Sequence, residues 1–175
     1  MSTELLVRAV GQALAGHDFR PHWRERMGRL GCVAFWRRCT LNTNRAVAVL
    51  RAPDGEIDAG RYCQRMKWQL LLATRFCPLF YEVGLQIVLC GERLERAVGS
   101  PRELQQYVDL VSNQLVVLQS LFVVDTAAGW YVAARTWGQV LTGPVQDAIG
   151  LGIRAAGFSY FEAAEPGSAL SSDDS

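Results

Sequence analysis

The sequence has very little lysine and histidine. Lys67 is the one lysine among eighteen basic residues, and His17 and His22 are the two histidines. Histidine-based acid–base chemistry would therefore have to come from one connecting segment, and a metal ion normally needs a third and a fourth ligand. We interpret both histidines as solvated loop residues and expect no metal site.

Several catalytic motifs are also missing. The chain has no G-x-S-x-G elbow, no G-x-x-x-x-G-K-[ST] loop and no H-E-x-x-H pair. The spacing of Gly150 and Gly152 resembles a dinucleotide-binding fingerprint. These glycines fall within a helical pattern, however, and not in the turn between a strand and a helix. We expect these glycines to serve helix packing, and we expect no cofactor.

Cysteine pairs and long apolar runs are absent as well. The five cysteines are odd in number and none form a C-x-x-C pair, which favours a reducing compartment. The start of the chain lacks the features of a secretory signal. Gln86, Gln119 or Asp125 interrupts the longest apolar stretches before they reach the roughly 18 residues that a membrane span requires. We therefore expect a cytoplasmic protein without membrane association.

The composition is that of a folded protein. Half of the 175 residues are hydrophobic and 20% are charged, so one core can form without disulfides or metals. We predict a single domain over residues 1–161. Residues 162–175 are polar and acidic, and this composition predicts a flexible tail.

Hydrophobic periodicity predicts four helices and five strands. The helices are expected at 3–15, 58–76, 100–118 and from 143 to 157. The strands are expected at 32–39, 46–51, 80–89, 121–124 and 130–137. The helix at 100–118 has a start signal, because Ser100-Pro101-Arg102-Glu103 is a capping box with proline in the first helical position.

The order of these elements is αββαβαββα. Short polar turns separate the first two strands and the last two strands, which predicts two hairpins. The sequence therefore predicts an α+β fold with a mostly antiparallel sheet of about five strands packed by four helices.

Polar side chains interrupt the apolar strands at a few positions. Glu82 and Gln86 share one face of the strand at 80–89, Asp125 ends the next strand, and Arg135 lies on its hairpin partner. One hypothesis is a metal-dependent hydrolase or nuclease that uses Glu82, Gln86 and Asp125, with Arg135 beside them. The alternative is a buried ion pair between Glu82 and Arg135, with Asp125 in an Asx-type turn.

Positive charge is concentrated near the start of the chain. Residues 1–53 contain nine arginines and three acids, whereas the remainder contains nine basic and fourteen acidic residues. Arginines alternate with aromatic residues between 19 and 38, a combination found in protein hot spots and in single-stranded nucleic-acid sites. The candidate binding surface consists of Arg20, Trp23, Arg24, Arg26, Arg37 and Arg38.

Another candidate pocket lies in the connection between the last strand and the last helix. Trp137 and Gln139 stand there on either side of Gly138, and Gly143 follows at the predicted helix start. An anion or another ligand could bind there. The alternative is that Trp137 simply packs over a sheet edge.

These patterns favour a non-enzymatic module for protein interaction, similar to an adaptor or a chaperone, in a bacterial cytosol. A homodimer is expected. Binding of single-stranded nucleic acid through residues 19–38 is the second binding hypothesis, and the metal-dependent hydrolase is the enzymatic one.

Overall fold

A computed structural model describes residues 1–40, 44–74, 83–98, 101–108, 116–135 and 139–161, with the backbone alone at 101 and 139–142. Its six helices within these ranges are α1 (Thr3–Ala15), α2 (Glu25–Arg29), α3 (Ala59–Thr74), α4 (Glu95–Val98), α5 (Pro101–Gln105) and α6 (Gln139–Ala155). Its seven strands within them are β1 (Arg20–Pro21), β2 (Cys32–Cys39), β3 (Asn44–Arg51), β4 (Val83–Gly91), β5 (Val116–Asp125), β6 (Trp130–Arg135) and β7 (Ser159–Tyr160).

The seven strands form one mixed sheet, in which the spatial order follows the chain from β1 to β7. The pairs β1–β2, β2–β3 and β5–β6 are antiparallel, whereas β3–β4, β4–β5 and β6–β7 are parallel. The fold remains α+β. The predicted sheet of about five mostly antiparallel strands, the four packing helices and the order αββαβαββα are wrong.

The parallel pairs follow from the connections between the strands. Parallel neighbours need a crossover, which is usually helical. Here α3 joins β3 to β4, while α4 and α5 lie between β4 and β5. Both predicted hairpins are present as antiparallel pairs. The errors lie in the parallel alignment of β3, β4 and β5 and in the two edge strands, β1 and β7.

Some predicted boundaries are also wrong. Residues 116–118 belong to β5 and not to a helix, because a short apolar run fits a buried strand as well as a helix. The last helix begins at Gln139, so Pro144 lies inside it and not at its start. The short elements β1, α2, α4 and β7 carry too few residues to show a period, and the sequence did not indicate them.

Several predictions extend outside the described residues. These are the turn at 41–43, the ends of the predicted elements at 75–76, 80–82 and 136–137, Ser100 of the capping box, the helical segment at 109–115, and the tail at 162–175. Within the described ranges, the predicted helix at 3–15 and the predicted strand at 32–39 agree with α1 and β2.

Helices cover both faces of the sheet and produce two apolar layers. One layer contains Met27 of α2, Cys63 and Leu70 of α3, and Leu104 of α5, all packed on the same face. The other layer contains Leu6 and Val10 of α1 and Ile149 and Ile153 of α6. The central strands β3, β4 and β5 are therefore buried on both sides.

Helices α1 and α6 contact each other closely at Gly152. A Cβ atom added there would lie 2.8 Å from the Cα of Val10 and 3.0 Å from the carbonyl oxygen of Ala9. Both of these neighbours are backbone atoms, so they cannot rotate away. This geometry confirms the packing role that the sequence predicts for Gly152.

Substitution of Gly152 by alanine is expected to destabilise the fold. The added methyl group overpacks the contact between α1 and α6, which costs about 1–3 kcal/mol. Gly150→Ala is the matched control, because its Cβ would lie 3.3 Å from the flexible end of the Arg135 side chain. That control should be neutral or gain up to about 1 kcal/mol of helix propensity.

Urea unfolding of both variants measures the difference. Equal free energies of unfolding for the two variants would contradict the close contact at Gly152.

Candidate functional site

The predicted binding surface forms at the edge of the sheet where β1 pairs with β2. We call Arg20, Trp23, Arg24, Arg26, Arg37 and Arg38 the arginine–tryptophan surface. Arg20 in β1 lies directly opposite Arg37 in β2. Arg24 and Arg26 follow at the start of α2 and are exposed. Arg20 and Arg37, which are distant in the sequence, thus meet at this edge of the sheet.

Like charges face each other across the strands at this edge. Besides the pair of Arg20 and Arg37, Arg38 of β2 lies directly opposite Arg45 of β3. Like charges at directly opposite positions destabilise a sheet by roughly 0.2–1 kcal/mol per pair. Burial and the neighbouring Arg38 both lower the pKa of Arg45, burial being the larger cause. The strand pairing therefore places arginines on both faces of this edge.

A groove of about 540 Å³ opens along the same edge. Arg20, Arg37 and Arg38 line it together with Asp18 and His22. The Asp18 carboxylate lies 3.8 Å from the Arg38 guanidinium, but 86% of the Asp18 side chain is exposed. An exposed ion pair at that distance contributes little, so the groove keeps its positive character.

His22 lies between this groove and the core. Its backbone N–H donates to the carbonyl of Phe35, and its ring lies 6.1 Å from the Phe35 ring. Its Nε2 atom is buried and has no hydrogen-bond partner among the described residues. Burial, followed by the charges of Arg37 and Arg24, lowers the pKa of His22 from 6.5. All three causes favour the neutral form of the ring.

Trp23 is the exposed aromatic side chain of this surface. It is 54% exposed, and its ring lies over the backbone of Gly28 in α2. The other rings of segment 19–38, those of Phe19, Phe35 and Trp36, are buried in the two apolar layers. One ring of this segment is thus available for stacking.

The structure keeps Gln86 and Asp125 apart. Gln86 pairs with Ser120 on β5, and Asp125 lies five positions further along that strand, roughly 17 Å away at the usual rise per residue. Gln86 points toward the layer of α1 and α6, whereas Asp125 shares the opposite face with Val123. The third residue of the hydrolase hypothesis, Glu82, lies outside the described residues.

Asp125 is a buried turn residue. One carboxylate oxygen accepts the backbone N–H groups of Ala127 and Ala128 at 2.9 and 2.8 Å, and the other accepts the N–H of Leu94 at 2.7 Å. The Asx-type turn is confirmed. Through Leu94, the carboxylate also ties the turn after β5 to the loop after β4.

Arg135 makes structural contacts through both its side chain and its backbone. Its guanidinium donates to Asp147 of α6 at 2.9 Å and lies over the ring of Phe122. The Gln105 side chain donates to the Arg135 carbonyl and accepts from its N–H, as a neighbouring strand would. The Glu82–Arg135 ion pair falls outside the described residues, as does Trp137 of the loop pocket. The Gln139 backbone begins α6, and its side chain is not described.

A second groove, of about 820 Å³, lies outside the carboxyl ends of β3, β4 and β5. Open parallel sheets often bind ligands at such ends. Here the lining charges have both signs, and Arg96 pairs with Glu56 at 3.0 Å. Asp125 is engaged by three backbone N–H groups. The other charged residues of the lining are four acids and two arginines, so the groove is acidic on balance: Asp54, Glu56, Glu92, Glu95, Arg93 and Arg96.

The burial of Lys67 was not predicted from the sequence. The side chain is 2% exposed and lines a small cavity between α3 and the sheet, with Phe35 and Leu70. The cavity has about 10 Å³ of space, which fits about one water molecule. Its position was available from the sequence, because Cys63, Lys67 and Leu70 follow the apolar stripe of the helix.

Comparison with known proteins identifies no relative. No protein-family model, curated protein or solved structure matches this chain. Two further findings apply to the described residues alone. No helix among them is long and apolar enough to cross a membrane, and no three or more of their His, Cys, Asp or Glu side chains form a group that could hold a metal ion.

Asp125→Asn is expected to lower the free energy of unfolding by about 1–3 kcal/mol, because the neutral amide replaces one acceptor oxygen with a donor that faces backbone N–H groups. Asp54→Asn is the control, since Asp54 is exposed and lines the same groove. Thermal or urea unfolding measures both. An unchanged stability of the Asp125 variant would contradict a structural role for this carboxylate.

Proposed function

We propose that this protein is a non-enzymatic interaction module that binds an acidic segment of a partner protein through the arginine–tryptophan surface. The observation that carries the proposal is the Arg20–Arg37 pair, two like charges held directly opposite each other beside an exposed tryptophan. Arginine and tryptophan are enriched at the energetic centres of protein interfaces. An acidic partner would offset the repulsion within the pair.

The burial of the aromatic rings favours a protein partner over single-stranded nucleic acid. Non-specific binding of a nucleic-acid strand relies on several aromatic side chains that stack on successive bases. Three of the four rings in segment 19–38 belong to the core, and Trp23 alone among them is exposed. One ring within a basic surface suits an acidic peptide with one apolar side chain.

Neutralising two arginines tests this surface. In Arg20→Gln/Arg37→Gln, affinity for a labelled glutamate-rich peptide is expected to fall at least about tenfold, equivalent to roughly 1.4 kcal/mol. The wild-type affinity should also fall as salt is added, because exposed charges are screened. Fluorescence anisotropy measures both effects.

The matched control is Arg8→Gln/Arg65→Gln, which removes the same charge from exposed positions on α1 and α3. Its peptide affinity should remain near that of the wild type. Equal losses in the two double variants would indicate a general charge effect and would contradict the proposed surface. Tighter binding of an oligonucleotide than of the peptide would favour the nucleic-acid hypothesis.

Self-association is the second part of the proposal, and exposed apolar side chains on α3 support it. Trp68 is 41% exposed and Leu72 is 72% exposed, and they lie one helical turn apart. In a two-fold symmetric dimer the same patch occurs on both subunits, so one apolar stripe can cover the other.

Leu72→Glu is expected to convert a dimer into a monomer, because a charge would then lie within the buried contact. Leu5→Glu is the control, since Leu5 is 45% exposed on α1. Sedimentation equilibrium of the three proteins gives their masses. A monomeric wild type would contradict the homodimer, and a dimeric Leu72 variant would contradict this interface.

A further inference from the structure

Three arginines line the groove beside the arginine–tryptophan surface: Arg20, Arg37 and Arg38. Arg20 and Arg37 stand at directly opposite strand positions and share one face of the sheet, whereas Arg38, at the next position of β2, starts from the opposite face. Asp18 is the acid among the groove-lining residues that the structure describes, and its exposed carboxylate lies 3.8 Å from Arg38. The groove is therefore suited to an anion that carries more than one charge.

We propose that this groove binds a phosphate monoester on the partner protein, with Arg20 and Arg37 as the two guanidinium groups that hold it. This inference rests on the proposed function, since the phosphate belongs to the acidic segment that binds there. It adds the chemical group that the surface recognises.

The number of charges and oxygens favours phosphate over carboxylate. A phosphate monoester carries about −1.5 to −2 at neutral pH and three acceptor oxygens, whereas a carboxylate carries one charge and two oxygens. The planar guanidinium fork matches either group through two parallel hydrogen bonds. One carboxylate can satisfy one guanidinium in this way. One phosphate can face two guanidinium groups and offset the charge of both.

His22 provides a reporter that is independent of the affinity measurement. The charges that face its ring are those of Arg37 on β2 and Arg24 before α2, and both lower its pKa together with burial. Arg20 and Asp18, which precede His22 in the chain, line the same groove. An anion between Arg20 and Arg37 offsets their repulsion, so the pKa of His22 rises toward its ordinary value when the ligand binds.

The decisive experiment compares three peptides that differ at one position within the same glutamate-rich sequence. The position carries phosphoserine, glutamate or serine, and fluorescence anisotropy with the full chain measures each affinity. We expect the phosphoserine peptide to bind at least about tenfold more tightly than the glutamate peptide. Equal affinity of these two peptides would overturn the phosphate proposal and leave the acidic-partner proposal intact.

Arg20→Lys separates geometry from charge at the same position. Lysine keeps the positive charge but lacks the planar fork, so the affinity for the phosphoserine peptide should fall by more than the affinity for the glutamate peptide, and the phosphoserine preference should decrease. Arg8→Lys on α1 is the matched control and should change neither affinity. An unchanged phosphoserine preference in the Arg20 variant would overturn the assignment of the phosphate to this pair.

NMR of the His22 ring gives the second readout. The His22 ring signal should titrate at a higher pH in the phosphopeptide complex than in the free protein. A His22 titration that the phosphopeptide leaves unchanged would place the phosphate elsewhere. Failure of all three peptides to bind would instead contradict the proposed function itself.

Competition by inorganic phosphate distinguishes recognition of a phosphate group on a partner protein from binding of the free ion. Inorganic phosphate should compete with the phosphopeptide, but with an affinity at least about tenfold weaker, because the peptide adds contacts outside the groove. Equal affinities of inorganic phosphate and the phosphopeptide would overturn recognition of a protein partner at this groove.

Discussion

The parallel alignment of β3, β4 and β5 is the constraint on which the rest of the structure depends. These strands lie in the middle of the sheet and are buried on both faces, so each face needs its own helical cover. The crossover helices α3, α4 and α5 cover one face, and α1 and α6 cover the other. Removal of either layer would expose an entire face of apolar side chains to water.

Because helices cover the centre of the sheet, its backbone groups and charged side chains are exposed to solvent mainly at its two edges. β1 and β7 have two residues each, and such short edge strands limit pairing with other chains. At the β1 edge, pairing with β2 brings Arg20 opposite Arg37 beside a groove. Phe35 and Trp36 of β2 still belong to the two apolar layers, whereas Arg37 and Arg38, the next residues of the strand, are half-buried. The candidate surface therefore begins where the core ends.

The buried polar residues within the strands make structural hydrogen bonds and do not form a common site. Gln86 is fully buried, and its side-chain oxygen accepts from Ser120 at 3.2 Å. Asp125 is engaged by backbone N–H groups at the other end of the sheet. Alternation along one strand can indicate which side chains share a face. It cannot indicate that two residues on different strands lie on opposite faces and five positions apart, because register depends on the pairing of the strands.

The sequence by itself determined the strong local features. The strand at Cys32–Cys39, the helix at Thr3–Ala15 and the concentration of arginine before residue 53 all follow from periodicity and composition, which act over a few neighbouring residues. Tertiary structure alone decided the parallel pairing of β3, β4 and β5, the strand at Val116–Asp125 and the meeting of Arg20 with Arg37. These features depend on contacts between distant segments, and a short apolar run adopts whichever conformation its neighbours in space can bury.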